Sequence, residues 1–415
     1  MRTKIVALQS KQPFTVAPAV AFPSGEFDVV VLTDGPADAV LREDVTGPAP
    51  EITVLDRGKW LEHLLGFEGP VEVVTNDEYC LAECARLRAE LGLAARHPEQ
   101  PAAYRDKVLM KRLLAAGGVR VPRFHAFEPV VTTQAAEVLV EEIGLPAVAK
   151  PRQEANSRGI TILRTPQDVH DWLAAHDGET GWQADEFVDG TLHHVNAVVR
   201  DGEITPVLVG RYLGPLLGLD AGRILGGVTE QESPFTAAAH ELNERVVRAL
   251  GSRGSFVVHT EFAVNPDGEL VVLEVAGRAP GALVPELARL HAGVNLEVVS
   301  LRMQAGSPVP EPVQQDLQAA WLWPPVMPGK RFHEPGPDLS GLTSEHEVHV
   351  RKAGREGNQG ESGVIGASVL LWHRDPAQLA EDVARACELT WFAQDGARSP
   401  LNGLLRSPVR GSAAR

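Results

Sequence analysis

The chain has 415 residues, 44% hydrophobic and 23% charged, the balance of a globular protein too long for one simple core, so two or three domains are expected. A net charge of −16 argues against nucleic-acid binding, which needs a concentrated positive surface, and no apolar run approaches the roughly 20 residues of a membrane helix. The apolar run near the start is too short for a secretory signal, and a cytoplasmic protein is expected.

FDVVVLTDG (27–35) and VEVVTND (71–77) read as buried strands, and DEYCLAECARLRAELGL as the helix after the second. This β-then-α order predicts a small parallel α/β domain over 1–100. Cys80 and Cys84 lie one helical turn apart, but with no further ligands nearby they and Cys387 are expected as free thiols. Neither GxGxxG after a strand nor GxxxxGK[ST] occurs. HPEQPAAY (97–104) reads as a linker, and YRDKVLMKRLLAAGGVRVP as a helix stopped by Gly117-Gly118. PAVAKPRQEANSRGI (146–160) places Lys150 at the end of an apolar run flanked by prolines, ahead of a polar loop. In TPQDVHDWLAAH, Thr165, Pro166 and Asp168 predict a capped helix start. Asp189-Gly190, Asp201-Gly202 and Asp267-Gly268 signal hairpin turns. Residues 304–345 read as an irregular connection. EHEVHV and VIGASVLLW then read as strands around a glycine-rich loop, Asp375-Pro376 opens a helix, and the end from 396 to 415 reads as a disordered tail.

Chemistry concentrates at the last of those turns. A two-residue turn at Asp267-Gly268 sets Glu261 directly opposite Glu274, with His259 on their face. The other face carries Phe256, Val258, Phe262 and Val264, joined by Val271, Leu273 and Val275. Two carboxylates facing each other repel, so the pair is either a solvated polar face or a cation site, and oxygen-only ligands favour Mg²⁺. A longer NPDG loop would leave the pair diagonal. Arg278 follows four residues past Glu274, between Gly277 and Gly281, as a fork for phosphate or carboxylate oxygens.

Taken in order, these segments resemble the ATP-grasp superfamily in its carboxylate–amine ligase branch, from about Val71 to Phe392. The resemblance implies an ATP-grasp fold of mixed α/β and α+β class. Its parts would be an N-terminal parallel α/β (pre-ATP-grasp) domain at 1–100, a nucleotide-binding and catalytic domain at 101–310 and a C-terminal α+β lobe at 311–395. It assigns Lys107 and Lys150 to the phosphates of ATP, and Ser157, Arg158 and Gly159 to a phosphate-covering loop. Adenine falls to the main chain of Glu186 and Val188 with Asp185 nearby, while Phe187 is expected to pack rather than stack. Glu261 and Glu274 would hold Mg²⁺ or Mn²⁺, and Arg278 would stabilise the transferring phosphoryl group and the later oxyanion. His194 is expected to line the site and His193 to lie at the surface. Arg211, in VGRYLG, is a candidate for the substrate carboxylate or a structural salt bridge. Departures from the family pattern are a loop poor in glycine, Leu192 where a ribose-contacting acid is frequent, and Ala276 where an asparagine often stands. The implied activity is ATP-dependent joining of a carboxylate to an amine through an acyl phosphate, as in amino-acid ligases. The rivals are a biotin-carboxylase-like or purine-pathway enzyme and a nucleotide-binding protein without turnover. Small-molecule carboxylate and amine partners are expected, with no nucleic acid or membrane, and a homodimer is compatible with them. The N-terminal domain and the 354–363 loop are expected to border the acceptor pocket.

Overall fold

The computed structural model describes residues 2–394 except 24, 46, 216–222, 327–331, 334–336 and 351–364. The 354–363 loop and the 396–415 tail therefore lie outside the described residues. The chain divides into two compact units, Met1–Gly214 with Gly227–Asp316, and Pro215–Gly226 with Leu317–Arg415.

In the first unit, β1 (Thr3–Gln9), α1 (Pro18–Ala21), β2 (Phe27–Thr33), β3 (Glu51–Val54), α2 (Trp60–Leu65), β4 (Val71–Thr75) and α3 (Leu81–Glu90) build a parallel sheet of order β3-β2-β1-β4. Ile5 to Leu8 are fully buried because both faces are covered, one by Trp60, Leu64, Cys84 and Leu87 and the other by Phe14, Phe22 and Leu301. Cys80 and Cys84 are buried free thiols. Where a linker was expected at 97–104, Ala103 and Tyr104 are instead core residues, with the Tyr104 ring 5.3 Å from that of Phe256. Polar flanking residues concealed this anchor.

Helix α4 (Lys107–Ala116) starts where the Asp106 carboxylate accepts the N–H groups of Val108 and Leu109, and it stops at Gly117. Next come β5 (Phe124–Phe127), α5 (Thr132–Glu137), β6 (Ala147–Pro151), β7 (Thr161–Leu163), α6 (Pro166–His176) and β8 (Trp182–Glu186), the strands pairing antiparallel as β5-β8-β6-β7. The capping box of Thr165 and Asp168 is present. Strands β9 (Thr191–Arg200), β10 (Glu203–Tyr212), β11 (Leu225–Thr229), β12 (Ser255–Val264) and β13 (Leu270–Ala276) form an antiparallel run β13-β12-β9-β10-β11, with α7 (Pro234–Leu250) between β11 and β12. Helices α4 and α7 bury one face of this sheet through Met110, Leu114, Leu242 and Val246 against Val195, Val199, Phe256 and Phe262. Asp201-Gly202 makes the expected two-residue turn, both residues having positive φ. Asp189-Gly190 does not: β8 and β9 belong to different sheets, so the pair turns a crossover. Side-chain-free Gly190 is needed there, since a Cβ would meet the Val264 carbonyl oxygen at 2.2 Å. Helices α8 (Val284–Ala292) and α9 (Leu296–Gln304) complete the unit.

The second unit holds β14 (Gln318–Trp323), β15 (Phe332–His333), β16 (Glu345–Val350), β17 (Ala367–His373), α10 (Pro376–Glu388) and β18 (Ala393–Gln394). Strands β14, β17 and β16 pair antiparallel, and Asp375 caps α10 as expected. The expected irregular 304–345 segment thus contains a strand whose Ala319 to Leu322 are buried. Among the described residues no helix is long and apolar enough to cross a membrane.

Candidate active site

The site grows from the β12–β13 hairpin. Its loop is longer than the two residues expected: Asn265 and Glu269 close it, with Glu269 oxygen accepting the Asn265 N–H at 3.1 Å. That loop alone would pair Glu261 with Leu273. A bulge between Glu261 and Phe262 restores the pairing, with Glu261 opposite Glu274 and Phe262 opposite Val272. The longer loop corrects the expected apolar face by bringing Val272, in place of Val271 and Leu273, beside Phe262, and the bulge keeps Val275 on that face as expected.

Glu261 is held firmly. The Tyr212 hydroxyl donates to its Oε1 at 2.7 Å, and His259 Nε2 stands 3.4 Å from the same oxygen. Burial opposes ionisation of Glu261, but the His259 and Tyr212 contacts prevail and bring its pKa down to about 2. His259 Nδ1 bonds Asn196 Oδ1, and Asn196 Nδ2 bonds His194 Nδ1, each at 2.8 Å. His194 is the cross-strand partner of Glu261, so it lines this face as expected; its Nε2 has no hydrogen-bond partner. Its ring occupies space left by Gly210, where a Cβ would sit 2.4 Å from the ring atoms.

Opposite lie the lysines. Lys107 Nζ is 2.9 Å from Glu274 Oε1 and donates to the Glu154 carbonyl at 2.6 Å. Lys150, on β6, is 2.9 Å from Asp185 Oδ2, and Lys111 Nζ lies 2.5 and 2.6 Å from the two Asp185 oxygens. The Asp185 carboxylate therefore anchors two lysines, one residue before the Glu186 main chain expected to meet adenine. Burial would raise the Asp185 pKa, but Lys150 and Lys111 outweigh it and hold the group ionised. Burial likewise disfavours charge on Lys150, yet Asp185, Glu274 and Glu261 together raise its pKa. Lys111 sees Asp185 but also the other two lysines, and burial brings it down to about 7.

Arg278 leaves β13 buried. Its Nε donates to Glu78 Oε2 at 3.1 Å, Nη2 donates to the same oxygen, and Nη1 donates to the Ala279 carbonyl at 2.7 Å. Burial costs both members of this pair, but their mutual attraction keeps Glu78 below and Arg278 above its ordinary pKa. Glu78 also takes Arg105 Nη1 at 2.8 Å. It sits in a turn fixed by Asp77, whose Oδ2 accepts the N–H groups of Ser10, Lys11 and Gln12 at 2.6, 2.8 and 3.1 Å. The loop after Lys150 leans on the same turn: Tyr79 Oη donates to Glu154 at 2.6 Å, and Gln12 Nε2 to Asn156 at 3.3 Å. Ser157, Arg158 and Gly159 are exposed on that loop.

Other expectations change. Arg211 pairs across the strands with His193, on the face opposite Glu261, and its Nε donates to Glu230 at 2.9 Å. Strand parity thus removes Arg211 from the carboxylate face and makes it a structural ion pair. His193 is buried rather than at the surface, its ring 4.9 Å from Phe235 and 5.5 Å from Phe262. Phe187 is 40% exposed and not packed in a core. The Glu186 N–H donates to the Arg123 carbonyl at 2.8 Å, and its carboxylate engages Arg120 and Arg123; Val188 follows in the crossover. Sequence reasoning missed Glu78, Lys111, Asn196 and Tyr212. Only Lys111 had a local signal, its i+4 spacing from Lys107 on one helix face.

The donor set fits a hard divalent cation. Among the described residues no group of three or more His, Cys, Asp and Glu could hold a metal by itself, so the two glutamates need oxygens from elsewhere. That is how Mg²⁺ sits beside bound phosphates, on one or two carboxylates. Lys107, Lys150 and Arg278 around the glutamates suit a polyphosphate.

No family model matches the chain. Over 291 residues it is 28% identical to an uncharacterized protein of Sinorhizobium fredii, covering 67% of this chain and 58% of that one. It is 27% identical to D-alanine–D-alanine ligase of Gloeobacter violaceus over 48% of this chain and 67% of that one. The L-arginine-specific L-amino acid ligase of Bacillus subtilis is 25% identical over 57% of this chain and 58% of its own. The matches thus span little more than half of most of these relatives. In structure, L-amino acid ligase from Bacillus licheniformis superposes with a TM-score of 0.72 at 17% identity, covering 95% of this chain and 98% of that one. N5-carboxyaminoimidazole ribonucleotide synthetase from Thermotoga maritima gives 0.64 at 18%, covering 95% and 99%. In sequence and in fold the chain is thus similar to amino-acid ligases, in keeping with the resemblance of its motifs to the carboxylate–amine ligase branch of the ATP-grasp superfamily.

Proposed function

We propose that the protein is an ATP-dependent carboxylate–amine ligase that joins amino acids or similar small molecules, releasing ADP and phosphate. The observation that carries this is the convergence of Lys107, Lys150 and Arg278 on the facing Glu261 and Glu274. In the first step a substrate carboxylate oxygen attacks the γ-phosphorus of ATP, the bond to the β-phosphate oxygen breaks, and ADP leaves. In the second, an amine nitrogen attacks the acyl carbon, the carbon–phosphate oxygen bond breaks, and the amine gives up a proton. Lys107 and Lys150 bind and orient the phosphates, while Glu261 and Glu274 would hold Mg²⁺, with Mn²⁺ as a substitute. The ion supplies charge neutralisation at the phosphate oxygens. Arg278, fixed by Glu78, offers its remaining N–H groups to the transferring phosphoryl group and then to the oxyanion at the acyl carbon. Ser157, Arg158 and Gly159 would cover the phosphates, and the main chain of Glu186 and Val188 would meet the adenine. A cytoplasmic location completes the proposal. A homodimer is its expected assembly, supported by a dimeric biotin carboxylase domain of similar fold, TM-score 0.67 at 15% identity.

The test is ADP release with MgATP and pooled amino acids, with mass spectrometry of the products. Amino-acid-dependent ADP and a condensed product are expected. ADP release that needs bicarbonate instead favours a carboxylase-like or purine-pathway enzyme. Tight nucleotide binding without turnover favours a nucleotide-binding protein.

A further inference from the structure

Lys111 has no role in the chemistry above, yet it is a fully buried cation at the edge of the phosphate-facing group. It lies one turn beyond Lys107 on α4, with the Phe124 ring 5.3 Å from its ammonium. Having no exposed surface, it cannot itself meet a nucleotide. Its ammonium grips both oxygens of Asp185, at 2.5 and 2.6 Å, whereas Lys150 touches only Oδ2, at 2.9 Å. Two ammonium groups thus share one carboxylate, and the closer, two-point partner is the one that cannot reach substrate.

We propose that Lys111 is a positioning residue that takes up much of the Asp185 charge, so that Lys150 keeps a net positive charge for the phosphates of ATP. This rests on the assignment of Lys150 to those phosphates. Without the Lys111 charge, Asp185 would pair with Lys150 alone. In a buried setting, where charges couple strongly, that pairing would draw the Lys150 ammonium onto the carboxylate and cancel its charge toward an anion. Removing the Asp185 charge as well should release Lys150 again. A purely structural lysine has no such reciprocal relation with its partner.

The experiment is calorimetric binding of MgADP and of a non-hydrolysable ATP analogue, run at about pH 6 so that Lys111 is protonated. The proteins are wild type, Lys111→Met, Lys111→Met/Asp185→Asn and Lys150→Met. Lys111→Met should weaken binding about tenfold or more, and the double variant should recover to within about threefold of wild type. Turnover should show the same split, with KM for ATP moving more than kcat. Wild-type affinity in folded Lys111→Met overturns the inference, as does a double variant no better than the single one while Lys150→Met is weakened. Unchanged affinity in Lys150→Met overturns the phosphate assignment and this inference with it. If Lys111→Met fails to fold, the double variant, which removes both buried charges together, decides. Near-wild-type affinity there supports the proposal, and loss of affinity overturns it.

Discussion

Replacing Arg278 by lysine tests the catalytic reading most sharply, because the structure fixes what each side chain can offer. The guanidinium commits one N–H from Nε and one from Nη2 to Glu78 and one from Nη1 to the Ala279 carbonyl. Two of its five N–H groups, one on each terminal nitrogen, are left for the reacting oxygens. A lysine at this position has three N–H groups on one nitrogen. Satisfying Glu78 and Ala279 uses two, leaving one donor in place of a fork. The buried Glu78 keeps a positive partner, so the fold should survive with a stability loss of about 1–2 kcal/mol. ATP in its ground state still has Lys107, Lys150 and the glutamate-bound cation, so nucleotide affinity should stay within about threefold. What is lost is stabilisation of charge that develops only during transfer, and one such donor is typically worth 10²–10³ in rate, or about 2.7–4 kcal/mol. The assay combines coupled ADP release for kcat, calorimetry for nucleotide affinity and thermal unfolding as the control. A folded Arg278→Lys enzyme with near-normal kcat would refute the assignment. Loss of activity only in proportion to lost thermal stability would reduce Arg278 to a brace for its turn.

Excess EDTA should abolish turnover, Mg²⁺ should restore it fully and Mn²⁺ partly, and Zn²⁺ should not, since no thiolate joins Glu261 and Glu274; full activity in EDTA contradicts the paired-carboxylate site. Glu78 has a folded pKa below its ordinary 4.5, so its contribution to stability is present above that value and is lost as pH falls through the folded one. The stability gap between wild type and Glu78→Gln, from urea unfolding, should therefore be widest near neutrality and close on acidification; a gap constant down to about pH 3 rules out the buried ion pair as its source. Amides of residues 153–159 should exchange faster without nucleotide than with ATP and Mg²⁺, and Tyr79→Phe, which removes the bond to Glu154, should speed exchange in the nucleotide-free protein. Equal protection in all three samples argues against a covering loop.

Local sequence carried what local physics decides. Uninterrupted apolar runs gave the parallel strands, because a strand covered on both faces has no room for alternation. Thr165 with Asp168, and Asp375 ahead of Pro376, marked helix starts through their own hydrogen bonds. Period-two alternation put Glu261, Glu274 and His259 on one face, and family resemblance supplied Lys107, Lys150 and Arg278. The facing glutamates were anticipated through a two-residue turn, whereas the molecule reaches the same pairing through a longer loop and a compensating bulge.

What alternation could not decide was which face a residue shares with partners on other strands. Arg211 and His193 fall on the face away from Glu261 only because β12, β9 and β10 pair in one particular register. Nor could sequence foresee the ion pairs that fix the site. Lys111 and Asp185 are 74 residues apart, and Arg278 and Glu78 are 200 apart. The spacing of Lys111 from Lys107 and the glycines around Arg278 mark one member of each pair, but nothing local points to Asp185 or Glu78 as its partner. Burial gives these residues their meaning, since a charge removed from water must find its counter-charge within the fold. The chain by itself specified the strands, the caps and the presence of suitable chemistry, while packing alone settled which charges are spent on one another and which are left to meet a substrate.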